Sequence, residues 1–485
     1  VDIFRTKSVE QSIRDTEAPE HQLRKRLNAV DLTVFGIGVI VGTGIFVLTG
    51  QVAKEMAGPA VAISFVVAAV VCGLAALCYA EFASTIPVAG SAYTFAFATL
   101  GEFPAWIIGW DLVLEMALAA AVVAVGWSGY FSSLMSSIGV NLPASIAGDD
   151  PVVNLPAMVI VLILTAVLIA GIKLSSRVNL TIVVIKVAVI LLVIVAGLFF
   201  VKAANYTPFI PAPESTPTVE GVQAPLIQVL FGITPVAFGV LGVFSAAAIV
   251  FFAFIGFDIV ATAAEETIEP QRDVPRGIIG SLAICTILYV AVSLVVVGMQ
   301  HYTELSSSAP LADAFTAVGQ SWAATLISIG AIAGLTTVVM ILMLGQTRVL
   351  FAMCRDGLLP RPLARVNPTT GTPAVLTAIV GVVAAVLAGF ISLGALAELV
   401  NIGTLFAFVV VSAGVIILRR TRPELERAFR APGVPVLPIL AVLACLYLML
   451  NLPVETWLRF VIWMAVGAVL YFLYGRRHSR AGQVV

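Results

Sequence analysis

Gly36-Ile37-Gly38-Val39-Ile40-Val41-Gly42-Thr43-Gly44-Ile45-Phe46 puts four glycines into nine residues. They fall in the middle of an apolar run over 31–53. Each glycine weakens a helix by about 1 kcal/mol relative to alanine, so a run long enough to cross a bilayer is expected to break near its centre. A second run, over 239–263, carries Phe251-Phe252-Ala253-Phe254-Ile255-Gly256-Phe257-Asp258, with a glycine close to an acid at similar depth. The rest of the sequence decides whether two such breaks belong together.

Of 485 residues, 60% are hydrophobic and 11% charged, and the formal net charge is −1. Soluble domains carry about a quarter charged residues, and no basic field argues for a nucleic-acid partner. A hydrocarbon core about 30 Å thick needs roughly 20 apolar residues of helix. Runs of that kind lie at 31–53, 60–82, 104–136, 156–172, 178–201, 239–263, 277–299, 322–351, 373–391, 395–418, 435–452 and 456–474. The expected fold is therefore an all-α membrane protein of twelve transmembrane helices. The two longest runs, 104–136 and 322–351, are expected to tilt or protrude. Residues 1–30 are polar and read as a cytosolic tail, not as a secretory signal.

The charges test the count. With the N-terminus inside, twelve spans place 22 of the 26 basic residues on the inner face, as the positive-inside rule requires. Lys54, Lys202 and Arg459 fall outside, and Lys186 lies within a span. One miscounted span would scramble every later loop. The cysteines, Cys72, Cys78, Cys285, Cys354 and Cys445, are odd in number and lack metal-finger spacing; four lie in apolar runs and Cys354 is expected in a basic loop, and all read as small buried hydrophobes. His21, His301 and His478 lie outside the apolar runs. No metal site or cofactor is expected.

The Pro-rich connection 202–238 splits the chain. Five spans (31–201) precede it. Five more (239–418) follow, then spans 11–12 (435–474) and a cytosolic tail (475–485). The stretch Ile227–Phe238 reads as a short interfacial helix. The two glycine-weakened runs head the two groups of five, and interrupted helices at corresponding positions of inverted repeats point to a transporter site. Unwound backbone facing lipid costs several kcal/mol per bare group, so it must line a wet cavity walled by protein. Half-helix N-termini attract a carboxylate, and freed carbonyls attract an ammonium. A zwitterionic amino acid supplies both. The competing explanation is that the glycines only let helices pack closely.

Ionisable groups sit deep in these runs. Lys186 lies nine residues past Arg177, about 13 Å into the membrane at 1.5 Å per residue. A charged lysine there costs about 2.5–3.5 kcal/mol on the insertion scale. It must be held by carbonyls, be wet, or lose its proton part of the time, which makes it a candidate proton switch. Asp111 and Glu115 are four apart and share a helix face. That face is expected to look into the cavity, with Glu115 near a substrate cation and Asp111 in polar packing. Asp258 is expected to cap the second half of its helix. Glu81, Glu265 and Glu266, near the inner ends of their spans, are expected to pair with cytosolic bases or to face solvent.

These segments resemble the amino acid–polyamine–organocation transporter superfamily, and within it the cationic amino acid transporter branch. The likeness covers most of the chain. It rests on 36–46, on Cys78-Tyr79-Ala80-Glu81-Phe82-Ala83-Ser84-Thr85-Ile86-Pro87-Val88-Ala89-Gly90-Ser91-Ala92-Tyr93, and on Gly109-Trp110-Asp111-Leu112-Val113-Leu114-Glu115. Residues 251–258, Glu265-Glu266, Glu269-Pro270-Gln271-Arg272-Asp273-Val274-Pro275 and 347–360 complete it. The resemblance implies a five-plus-five inverted repeat with broken first and sixth helices plus two additional helices. It places the substrate carboxylate on first-span amides around Val41, Gly42, Thr43 and Gly44. The α-ammonium meets carbonyls of Ile40, Phe252, Ala253 and Ile255. It gives Glu115 and Thr336 to the side-chain end of the pocket, and Lys186 to proton coupling.

The expected activity is a proton-coupled amino acid permease of the cell membrane, working by alternating access, with both termini cytosolic and broad specificity including cationic amino acids. An exchanger of amino acids or polyamines without proton coupling is the alternative. No nucleophile–base set suggests an intramembrane enzyme, and polarity is concentrated at midplane instead of along a continuous pore as in a channel.

Overall fold

The computed structural model describes residues 27–86, 91–147, 151–171, 176–215 and 220–479. Among these residues there are helices and three isolated β-bridges but no strand. Most of the polar N-terminal tail, with His21, and Lys173 and Arg480 lie outside the described residues.

The first expected run forms two helices. α1 spans Ala29–Ile40. Asn28 opens it by accepting from the amides of Val30 and Asp31, while Asp31 accepts from the amide of Asn28. This reciprocal cap satisfies orphan donors of the first turn. α2 covers 44–57 and includes wide π turns at Gly44–Leu48 and Ala53–Ala57. Next come α3 (Val61–Thr85), α4 (Ser91–Thr99), α5 (Glu102–Ser137), α6 (Leu155–Ile169) and α7 (Ser176–Gly197). The sixth run is likewise split, into α8 (Gly239–Val250) with a 3-10 turn at Phe251–Phe254, and α9 (Phe257–Thr262). α10 (Pro270–Met299), α11 (Pro310–Ala317), α12 (Ser321–Arg355), α13 (Ala374–Phe390) and α14 (Leu393–Thr421) follow. α15 (Val436–Leu450) and α16 (Val454–Leu470) complete the series.

Each of the twelve apolar runs is thus helical. Eight helical stretches among the described residues are long and apolar enough to cross a membrane, and four shorter apolar helices accompany them. Three details differ from the sequence expectation. α4 and α11 are short helices between runs. The expected helix at Ile227–Phe238 shrinks to Leu226–Leu230, because Gly232 takes φ 64° and Pro235 follows. Cys354 sits in the last turn of α12, not in a loop, and all five cysteines are buried and free.

Packing sorts the helices into groups. α1, α3, α8, α9 and α10 pack on one another, and α5, α6, α12 and α13 form a second body. α7 touches α1, α10 and α12, and α14 touches α3, α5 and α8. Large apolar side chains stand exposed on the outer faces, among them Leu162 and Ile163 on α6, Val184 and Val195 on α7, Val382 and Val386 on α13, and Val461 and Ile462 on α16. Apolar surface spread over that many helices marks a membrane-facing exterior, so this is a multi-pass membrane protein. At one end Glu81 of α3 is clasped by Arg419 of α14 through bonds of 2.8 and 2.7 Å, and it accepts from the amide of Ala431 at 2.8 Å. The expected pairing of Glu81 with a basic residue is therefore present.

Candidate substrate site

Both breaks are real interruptions, and they meet. α1 ends where Val41 turns extended (φ −71°, ψ 92°). The amides of Ile45 and Phe46 return to the carbonyl of Gly42, so α2 starts afresh with its N-terminus at Gly42–Gly44. Among the described backbone hydrogen bonds none is donated by Gly42 or Thr43. In the other helix Ile255 is extended (ψ 137°) and Gly256 takes φ 123°, a conformation that essentially only glycine holds without strain. Asp258 accepts from the amide of Gly256 at 3.2 Å and so caps α9, as its position suggests.

The glycines divide between packing and opening. A Cβ on Gly44 would overlap Cα of Ala253, so the two broken segments lie backbone against backbone. Gly36 and Gly38 admit Ser281 and Val183, and these are packing glycines. A Cβ on Gly42 would meet nothing closer than Val338 at 3.7 Å, because Gly42 faces a cavity. That cavity, of about 20 Å³, is bordered by Ile40, Gly42, Thr43 and Gly44 of the first break and by Phe252 and Ile255 of the second. Ala119 and Val123 of α5 and Val338 and Leu342 of α12 close the apolar side. It has room for about one water.

Neighbouring helices pin the freed carbonyls. Lys186 of α7 is fully buried and donates to the carbonyls of Gly38 (2.7 Å) and Val41 (3.2 Å). Tyr289 of α10 donates to Ile40 at 2.7 Å. Asn401 of α14 donates to both Ala248 and Ile249, at 2.9 Å each, where α8 ends. The sequence reading found Lys186 from its depth. It missed Tyr289 and Asn401, although a lone amide inside the run 395–418 is a legible signal.

Of the expected substrate contacts, Ile40, Gly42, Thr43, Gly44, Phe252 and Ile255 border the cavity. Val41 instead serves Lys186, and Ala253 packs on Gly44. Two residues stand apart. Thr336 accepts from the indole of Trp127 at 2.9 Å and donates to Ile332. It lies two residues from Val338, and two residues turn a helix by about 200°. Asp111 and Glu115 share a face as expected, and at their level of α5 that face meets α14, with Asp111 against Gly403 and Glu115 beside Thr404 and near Asp258. Glu115 is one helical turn from Ala119, about 6 Å along α5, and is not part of the cavity wall. Asp111 Oδ2 and Glu115 Oε2 are buried without a hydrogen-bond partner among the described residues.

Apolar helices, two broken spans joined at a small cavity and a lysine locked onto one break define a membrane carrier for a small solute. Comparison with known proteins narrows this. The amino acid permease family model matches residues 27–473, and the chain belongs to that family. It is 49% identical to the branched-chain amino acid permease BcaP of Bacillus subtilis (strain 168), over 99% of both chains. It is 48% identical to the methylthioribose transporter of the same organism, over 98% of both. A vacuolar cationic amino acid transporter 4 of Arabidopsis thaliana is 39% identical over 83% of this chain and 65% of its own. These relatives are transporters and permeases, and the chain is not an enzyme.

Proposed function

We propose that this protein is a secondary active amino acid permease of the cell membrane. It works by alternating access over twelve spans, with both termini cytosolic, and imports aliphatic amino acids by proton symport. The observation that carries this reading is the cavity between the two breaks. The amides of Gly42 and Thr43 at the start of α2 offer a carboxylate a positive helix end. The carbonyl ends of α1 and of the Phe251–Phe254 turn offer an ammonium its acceptors. The side chain then meets Val123, Val338 and Leu342, with no charge in the wall. The printed name of the branched-chain relative agrees with an aliphatic side chain. Arginine and lysine belong to the broader range only if a long side chain reaches Glu115.

The packing pattern supports the inverted repeat. α1 against α10 is matched by α8 against α3, α7 against α12 by α14 against α5, and α6 against α13 is its own counterpart. Segments 31–201 and 239–418 are the two halves. Lys186 couples the proton: as an ammonium it holds Gly38 and Val41 together, and as an amine it loses donor strength and frees the turn that ends α1.

Uptake of L-leucine into proteoliposomes, with and without an inward proton gradient, tests this. Stimulation by the gradient is expected; uptake indifferent to it would favour an exchanger. Methylthioribose belongs in the same assay, because the second relative's name makes it a rival solute. Its hydroxyls would use the same bare backbone, and tighter binding than any amino acid would replace the amino acid reading.

A further inference from the structure

The Pro-rich connection 202–238 carries an apolar tip that is no part of the cavity wall. The helix that starts at Leu226 closes after Leu230, and the chain doubles back at Gly232, whose φ of 64° favours glycine. Gln228 knots this turn. Its side chain is fully buried and accepts from the amide of Val236 at 2.9 Å, while its carbonyl accepts from the amide of Ile233 at 2.9 Å. The inner side of the turn is thus fixed by its own hydrogen bonds. The outer side is left to Val229, Leu230, Phe231 and Ile233, with Leu230 64% and Phe231 74% exposed. No Asp, Glu, Lys, Arg or His occurs between Glu220 and Asp258. Adjoining large apolar side chains held out by a fixed, uncharged turn mark a surface that contacts something other than water.

The ties of the turn set where that surface sits. The amide of Leu226 donates to the carbonyl of Leu452 at 3.0 Å, and the amide of Val454 donates to the carbonyl of Ala224 at 3.1 Å. Gln223 donates to Glu455. These partners form the turn between α15 and α16. Val454 opens a stretch, Val454–His478, long and apolar enough to cross a membrane, so the turn before it stands at a membrane boundary and the apolar tip stands beside that boundary. Leu443 and Tyr447 of α15 and Leu458 of α16 are exposed on the flanking helices, so the tip adjoins the membrane-facing exterior. Apolar side chains at that level, with no charge among them, suit the zone between lipid headgroups and acyl chains.

We propose that Val229, Leu230, Phe231 and Ile233 form a membrane anchor, a knotted turn that dips into the leaflet at its end of the molecule and takes phospholipid as its partner. The chain then meets lipid at a point outside its twelve apolar runs, in the connection that leads directly into α8. The anchor does not depend on which solute the central cavity carries.

The test is nitroxide labelling of the full-length protein in vesicles of phosphatidylcholine and phosphatidylglycerol. All five native cysteines are buried, so the label is directed to Phe231→Cys, with Leu230→Cys as a second tip site and Glu220→Cys, exposed in the same connection, as the reference in water. Oxygen concentrates in the bilayer, whereas a water-soluble nickel chelate is excluded from it. The tip labels are expected to be relaxed more by oxygen than by the chelate, and the label at position 220 to show the reverse order. The order seen at position 220, found also at both tip sites, would place the turn in water and overturn the anchor. Tip labels shielded from both reagents, with spin–spin broadening that disappears on dilution with unlabelled protein, would make the occupant a second copy of this chain and overturn the assignment to lipid.

Discussion

The two helix breaks face the same cavity but are held by different chemistry. The first is pinned by an ionisable group, Lys186, and a phenol, Tyr289, reaching in from α7 and α10. The second is pinned by a neutral amide, Asn401, and capped within its own chain by Asp258. A grip that depends on a proton can be loosened by losing it, whereas an amide grip cannot. On the proposed reading, the first break is the movable, proton-dependent half of the site and the second its fixed reference. Their backbone conformations differ in the same sense. The second needs a left-handed residue at Gly256, while the first is extended at Val41 and tolerant at Gly42.

The largest expected effect follows from that contrast. Gly256→Ala forces a side chain into φ 123° and against Val39, at a cost of about 1–3 kcal/mol in backbone strain alone, and is expected to abolish uptake. Gly42→Ala, whose Cβ finds ordinary contact with Val338, is expected to fold normally and to lose affinity only by crowding the cavity. Equal effects of the two would erase the distinction between a strained and a tolerant break. Next in size, Lys186→Met is expected to remove the stimulation of uptake by a proton gradient. Asn401→Ala leaves the carbonyls of Ala248 and Ile249 without their donor, a loss of about 1–3 kcal/mol. It is expected to lower thermal stability while uptake keeps its response to the gradient. A gradient response lost in the Asn401 variant and kept in the Lys186 variant would reverse the assignment of the two halves. The smallest effect is expected from Glu115→Gln, one turn from the cavity, which should slow arginine uptake more than alanine uptake.

Much of this was readable before any coordinates. Twenty-residue apolar runs and segregated bases announce helices in a membrane, because hydrocarbon leaves the backbone few alternatives. Glycine density announced the break at 41–43, and depth announced Lys186. What stayed hidden was phase. Ala119, Val123, Val338 and Leu342 are apolar residues among apolar residues, and nothing in a run hydrophobic on all sides says which of them face inward. The same ambiguity put Thr336 in the pocket, where α12 turns it to Trp127, whereas Glu115 shares its face of α5 with Ala119 and Val123 and is offset from the cavity by one turn along the helix, beside Thr404. Tyr289 and Asn401 act on backbone carbonyls of distant helices, a partnership that leaves no spacing in the sequence.

The central claim, that backbone at both breaks grips the two ends of a zwitterion, is tested most directly by binding of L-leucine, L-leucinamide and 4-methylpentanoate to the purified protein. Each analogue lacks one charged end, and each is expected to bind about tenfold or more weakly than L-leucine, the loss of one charge-assisted contact. Either analogue binding as tightly as L-leucine would contradict the account.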